Sequence, residues 1–154
     1  MKRGDIVDEF VLPDQTGSPR EFSEFLADGP VVLFFYPAAG TPGCTREACH
    51  FRDLGKEFAE VGASRVGISR DPVNKQAKFA QDHGFDFPVL SDADGTVAAE
   101  FGVKRGLLGK FMPVQRKTFV IDSDRTILEV IGSEVNMNVH ADKALEVLRA
   151  RQSA

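Results

Sequence analysis

Two cysteines stand five positions apart in the run Phe34-Phe35-Tyr36-Pro37-Ala38-Ala39-Gly40-Thr41-Pro42-Gly43-Cys44-Thr45-Arg46-Glu47-Ala48-Cys49. An apolar stretch stops at a proline, a loop of small residues follows, and Cys44 falls where a helix should begin. Backbone N–H groups at a helix start lack intrahelical acceptors and carry partial positive charge, so they favour the thiolate, the nucleophilic form of cysteine. The helix end alone is too weak. A free thiol with a pKa near 8.5 needs about 3.4 kcal/mol to become roughly 90% ionised at neutral pH, and a helix terminus supplies about 0.3 to 1 kcal/mol. A second cation is required. Arg46 is nearest in sequence but lies roughly 200° around the helix from Cys44. Arg116, at the head of the apolar run Lys117 to Ile121, can reach from a neighbouring strand.

The elements that must hold these residues alternate between strand and helix. Val31 to Tyr36 is apolar on both faces, as a central strand covered on both sides would be. Cys44, Ala48, Phe51, Leu54, Phe58 and Val61 recur at helical spacing, predicting one helix from about Gly43 to Val61 with Cys44 on its buried stripe. A strand is expected over Arg65 to Ser69, then a helix capped by Asp71 with Pro72 at its first position and closed by Gly84. Phe87 to Leu90 reads as a strand and Gly95 to Phe101 as a short helix. Lys117 to Ile121 and Thr126 to Ile131 read as a hairpin, and Ala141 to Arg151 as a final amphipathic helix. Upstream, Phe10 to Leu12 reads as a strand and Glu21 to Leu26 as a helical turn. The segment from Lys104 to Pro113, with Leu107, Leu108, Phe111 and Met112, is too glycine-rich for a helix and needs cover or a partner. Together these predict one α/β domain over residues 1–154.

At this point the residues resemble the peroxiredoxins, within them the bacterioferritin comigratory protein or peroxiredoxin Q group. The resemblance is carried by Pro37, Thr41 and Cys44 at the spacing proline, three residues, threonine, two residues, cysteine. Phe51-Arg52-Asp53 and Arg116-Lys117-Thr118-Phe119-Val120-Ile121-Asp122 add to it, and it runs from about Gly4 to Leu148. It implies a thioredoxin-like fold, with a central mixed β-sheet flanked by helices and an N-terminal β extension. It also implies reduction of hydrogen peroxide and organic hydroperoxides by a Cys44 thiolate that becomes a sulfenic acid. In this reading Arg116 holds thiolate and peroxide, the Thr41 hydroxyl bonds to the reacting atoms, Pro37 shields the thiolate, and Cys49 is the resolving thiol. Thioredoxin or a similar dithiol protein is the expected reductant. On an ideal helix Cys44 and Cys49 would have Cα atoms about 8.7 Å apart, beyond the roughly 7 Å a disulfide tolerates. The helix must therefore unwind before they join.

Each residue also has a plainer reading. A cysteine on an apolar stripe can be a small hydrophobe, Pro37 a strand terminator, Thr41 a loop residue and Glu47 a complement to the helix dipole or an arginine's partner. His83 and His140 read as surface or capping residues. Cys44, Cys49 and His50 lack a fourth ligand, so no metal is expected, and no other cofactor is needed. Gly109-Lys110 lacks the earlier glycine of a phosphate loop, and Asp92-Ala93-Asp94-Gly95 lacks the glutamate of a calcium loop. A net charge of -4, from 19 basic and 23 acidic residues without a basic cluster, gives no reason to expect nucleic acid or an anionic membrane. Asp5, Asp8 and Glu9 soon after Met1-Lys2-Arg3 leave no room for an apolar leader core, so a cytoplasmic location is expected, and the resemblance implies a monomer or weak homodimer. A redox sensor that passes on a disulfide without turnover is the competing possibility.

Overall fold

A computed structural model describes residues 1–105 and 113–153 of the chain. A small antiparallel pair, β1 (Val11–Pro13) and β2 (Pro19–Glu21), precedes α1 (Phe22–Leu26). Then follow β3 (Val31–Phe35), α2 (Pro42–Asp53), α3 (Gly55–Glu60), β4 (Ser64–Ser69), α4 (Val73–His83), β5 (Val89–Ser91) and α5 (Thr96–Glu100). The chain ends with β6 (Lys117–Ile121), β7 (Ile127–Gly132) and α6 (Val139–Ser153). The five-stranded sheet has the order β5-β4-β3-β6-β7. β3 pairs in parallel with β4 and antiparallel with β6, so the sheet is mixed. Among the described residues no helix is long and apolar enough to cross a membrane. Residues 106–112, which hold Leu107, Leu108, Phe111 and Met112, lie outside the described residues.

β3 is buried along its whole length, as its unbroken apolar run requires. Because side chains alternate across a strand, Val31, Leu33 and Phe35 enter one core with Phe22, Phe101 and Phe119. Val32 and Phe34, with Tyr36 just beyond the strand, enter the other, under α2, α4 and α6. Phe51 of α2 stacks on Phe34 with ring centroids 4.2 Å apart and planes 8° from parallel. This aromatic stack seats the cysteine-bearing helix on the central strand.

The single helix expected from Gly43 to Val61 is two helices that break at Leu54. In an unbroken helix the Phe51 carbonyl would accept from the Gly55 N–H. It instead accepts from Arg65 Nη1 at 2.9 Å, and the Arg65 guanidinium, clamped to Asp86, lies where a Cβ on Gly55 would meet it at 3.1 Å. Nor does Asp71 cap α4. The cap residue is Pro72, without a side-chain bond, and the Asp71 carboxylate turns elsewhere. Gly84 closes α4 in the left-handed conformation, as expected.

Phe51→Ala should cost about 3–5 kcal/mol in urea unfolding because it leaves a cavity under α2. Val135→Ala, at a side chain that is 88% exposed, should cost less than about 0.5 kcal/mol.

Candidate active site

α2 begins with Pro42 at its first position, after Thr41 in extended conformation. The first helical bond runs from the Thr45 N–H to the Thr41 carbonyl at 2.9 Å. Proline has no N–H, so Gly43 and Cys44 carry the free donors of this end. Cys44 is 1% exposed and packs among the aromatic side chains beneath the helix. Arg116, just before β6, is also buried, and its Nη2 donates to Cys44 Sγ at 3.3 Å. The second cation that the helix end alone lacks is thus delivered across the sheet. A Cβ on Gly43 would sit 3.3 Å from Arg116 Nη2, so the absence of a side chain there leaves the guanidinium its place over the first turn.

Arg116 is held from both sides. Its Nη1 donates to Glu47 Oε1 at 3.1 Å, and its backbone N–H donates to Glu134 Oε1 at 2.9 Å. Glu47 thus serves as the arginine's partner. Burial works against the charge on Arg116, but Glu47 and Cys44 outweigh it and hold its pKa above the ordinary value. Glu47 is itself completely buried, and loss of water, offset only in part by Arg116, pushes its carboxyl up to about 8. Its second oxygen, Oε2, has no hydrogen-bond partner and lies 3.5 Å from His140 Nε2.

His140 corrects the reading from sequence: it is fully buried, neither a surface residue nor a cap. Its Nε2 lies 2.9 Å from the Ser133 carbonyl, which can only accept, so Nε2 carries the hydrogen. Nδ1 then accepts from the Thr118 hydroxyl at 2.8 Å. Burial, assisted by the charge of Arg116, holds the imidazole below its usual value. The sequence does carry a signal for this, because His140, Ala144 and Leu148 fall at successive four-residue steps on the buried stripe of α6.

Of the other residues singled out, Pro37 is buried at the end of β3 and Thr41 is exposed at the helix start. The Thr41 hydroxyl donates to the Ala38 carbonyl at 2.8 Å. Arg46 is exposed, away from Cys44. Cys49 lies on the same unbroken helix, half-buried and free, and burial raises its thiol. Among the described residues no three His, Cys, Asp or Glu side chains converge as a metal ion would need.

Glu47 and His140 pull stability in opposite directions with pH. A carboxyl raised in the folded state stabilises fully below its unfolded value of 4.5, and that contribution is lost as pH rises toward 8. A lowered histidine removes stability only below its unfolded value of 6.5. Between pH 6.5 and 8 the Glu47 effect therefore stands alone. Glu47→Gln should gain stability relative to wild type across that window, by up to about 1.4 kcal/mol per pH unit. Denaturant unfolding at several pH values checks this, and parallel curves would contradict it.

Residues 3–130 match the AhpC/TSA family. The chain is 37% identical to the chloroplastic peroxiredoxin Q of Sedum lineare, over 97% of this chain and 79% of that one. It superposes on the crystal structure of peroxidoxin BcpB from Mycobacterium tuberculosis with a TM-score of 0.93, at 74% identity and over 97% of each chain. For a cysteine-to-serine mutant of PrxQ from Xylella fastidiosa the TM-score is 0.88 at 29% identity, over 99% of this chain and 98% of that one. The five-stranded mixed sheet with its flanking helices is accordingly the thioredoxin-like arrangement. The helix-start cysteine and the buried arginine on it lie in that frame, and the chain belongs to the AhpC/TSA family, as a peroxiredoxin, a thiol-dependent peroxidase.

Proposed function

We propose that Cys44 is the peroxide-reactive thiol and Cys49 its resolving partner, in one peroxiredoxin domain spanning residues 1–154 that reduces hydrogen peroxide and organic hydroperoxides. The observation that carries this reading is the hydrogen bond from the buried Arg116 guanidinium to Cys44 Sγ at the first turn of α2. A cation and a helix start then converge on one sulfur and stabilise its anion. The thiolate attacks the nearer peroxide oxygen and the O–O bond breaks. Sulfur becomes sulfenic acid, and the departing alkoxide or hydroxide takes a proton to give alcohol or water. In this reading Arg116 stabilises charge as it moves from sulfur to the leaving oxygen. The Thr41 hydroxyl has committed its hydrogen to the Ala38 carbonyl, so toward a substrate it can only accept, which suits the O–H of a hydroperoxide. Pro37, buried with no N–H to solvate the sulfur, keeps water from the reacting pair.

Cys49 then attacks the Cys44 sulfenic sulfur, forming a disulfide and releasing water. The unbroken helix Pro42–Asp53 keeps the two cysteines apart, so its first turns must unwind before the bond closes. Thioredoxin or another dithiol protein returns both thiols, which fits a monomer or weak homodimer in a reducing compartment such as the cytoplasm.

A peroxide titration read by intact mass tests the assignment. Wild type should gain an intramolecular disulfide, Cys44→Ser should stay unoxidised at low dose, and Cys49→Ser should accumulate a sulfenic acid that over-oxidises or pairs between chains. Oxidation of Cys44→Ser at the wild-type rate would overturn it. Continued peroxide consumption with a thioredoxin system is expected, whereas one stoichiometric oxidation followed by silence would mark a sensor. Hydrogen exchange should show residues 43–52 less protected in the disulfide form than in the dithiol form.

A further inference from the structure

The turn that carries Thr41 has almost nothing apolar to anchor it. Ala38, Ala39 and Gly40 offer at most a methyl group, and Gly40 occupies the left-handed region at φ 81°. Its position must come from backbone hydrogen bonds, and a remote carboxylate supplies one of them. Asp71 Oδ2 accepts from the Ala39 N–H at 2.7 Å and from the Ser69 hydroxyl at 2.7 Å. Asp71 is half-buried, and among the described residues it makes no ion pair.

The carboxylate is fixed in turn. The Asp71 carbonyl accepts from the Ser91 hydroxyl at 2.6 Å, and its N–H donates to Ser69 Oγ at 3.2 Å. Ser69 Oγ also accepts from Gln76 Nε2 at 2.9 Å, which donates as well to the Leu90 carbonyl at 2.7 Å. Gln76 Oε1 accepts from the hydroxyl of the fully buried Tyr36. Tyr36 and Ala39 bracket Pro37, so both ends of the segment that enters the active-site turn are tied into one network built on β4, β5 and α4. From Ala39 the chain passes through the Ala38 carbonyl, which accepts the Thr41 hydroxyl, to Thr41 and the start of α2.

We propose that Asp71 is a positioning residue for the peroxidase reaction, its carboxylate holding the Ala39 amide so that Thr41 meets the substrate oxygen beside Cys44. This rests on the reading of Cys44 and Thr41 as the reacting centre. The consequence is selective. Attack on peroxide needs sulfur, guanidinium and threonine in register, whereas alkylation by iodoacetamide needs the thiolate and access to it but no threonine, and Arg116 contacts the sulfur directly.

Single-turnover oxidation of reduced protein by hydrogen peroxide, set beside alkylation of Cys44 by iodoacetamide, tests the proposal. Asp71→Ala should lose about ten- to a hundredfold in the peroxide rate, with the alkylation rate unchanged. Asp71→Asn keeps an acceptor oxygen and should recover most of the loss. In the wild-type protein the Ala39 amide should be protected from hydrogen exchange, a measurement that does not depend on any variant folding. Peroxide and alkylation rates falling together in Asp71→Ala, a wild-type peroxide rate in that variant, or an unprotected Ala39 amide would each overturn the proposal. Cys44→Ser, run in parallel, separates this failure from failure of the reading beneath it: if that variant consumes peroxide at the wild-type rate, the reacting centre itself is misassigned.

Discussion

Arg116 is only 5% exposed to solvent yet carries a full charge, and a buried cation persists only where anions or acceptors surround it. Two acidic side chains meet that need from α2, Cys44 on its first turn and Glu47 on the turn that follows. Loss of water, offset only in part by Arg116, holds the Glu47 carboxyl above its ordinary value. His140, held by Thr118 and Ser133, lies against that carboxyl. The sheet's arrangement makes this contact possible. β6 must lie beside β3 to bring Arg116 over the start of α2, and α6 must pack on β6 and β7 to seal the carboxyl from water.

In the proposed cycle the same contact sets two demands in conflict. Reactivity requires α2 wound from Pro42, with Cys44 buried against the aromatic core, while a Cys44–Cys49 disulfide requires those turns to open. The stack of Phe51 on Phe34 lies beyond the cysteine pair and anchors the second half of the helix. It allows the first turns to open without releasing the element. The break at Leu54, with Arg65 on the Phe51 carbonyl, fixes the far end as well. Local opening between a rigid strand and a clamped helix end costs less than global unfolding and has a defined extent.

Much of this is legible in the sequence because burial imposes periodicity. The two-faced apolar run of β3, the stripe of α2 through Cys44 and the hairpin after Arg116 are all readable, as is the triplet of Pro37, Thr41 and Cys44. What stays hidden depends on contacts between distant residues. The stripe from Cys44 to Val61 keeps helical spacing across Leu54, so nothing local announces that Arg65 will take the Phe51 carbonyl. Asp71 before Pro72 looks like a helix cap, and only the fold shows its carboxylate facing Ala39. β2, with Pro19, Arg20 and Glu21, has no strand-forming composition and forms because it pairs with β1. His140 looks like a surface residue by type, although its spacing from Ala144 and Leu148 places it inward.

In the proposed mechanism the buried guanidinium confers peroxide reactivity on Cys44. Stopped-flow oxidation of the reduced protein by hydrogen peroxide, comparing wild type with Arg116→Met in a variant shown by thermal melting to be folded, measures this directly. The second-order rate constant should be lower by about a hundred- to a thousandfold in the variant. An unchanged rate constant in the folded variant would contradict it.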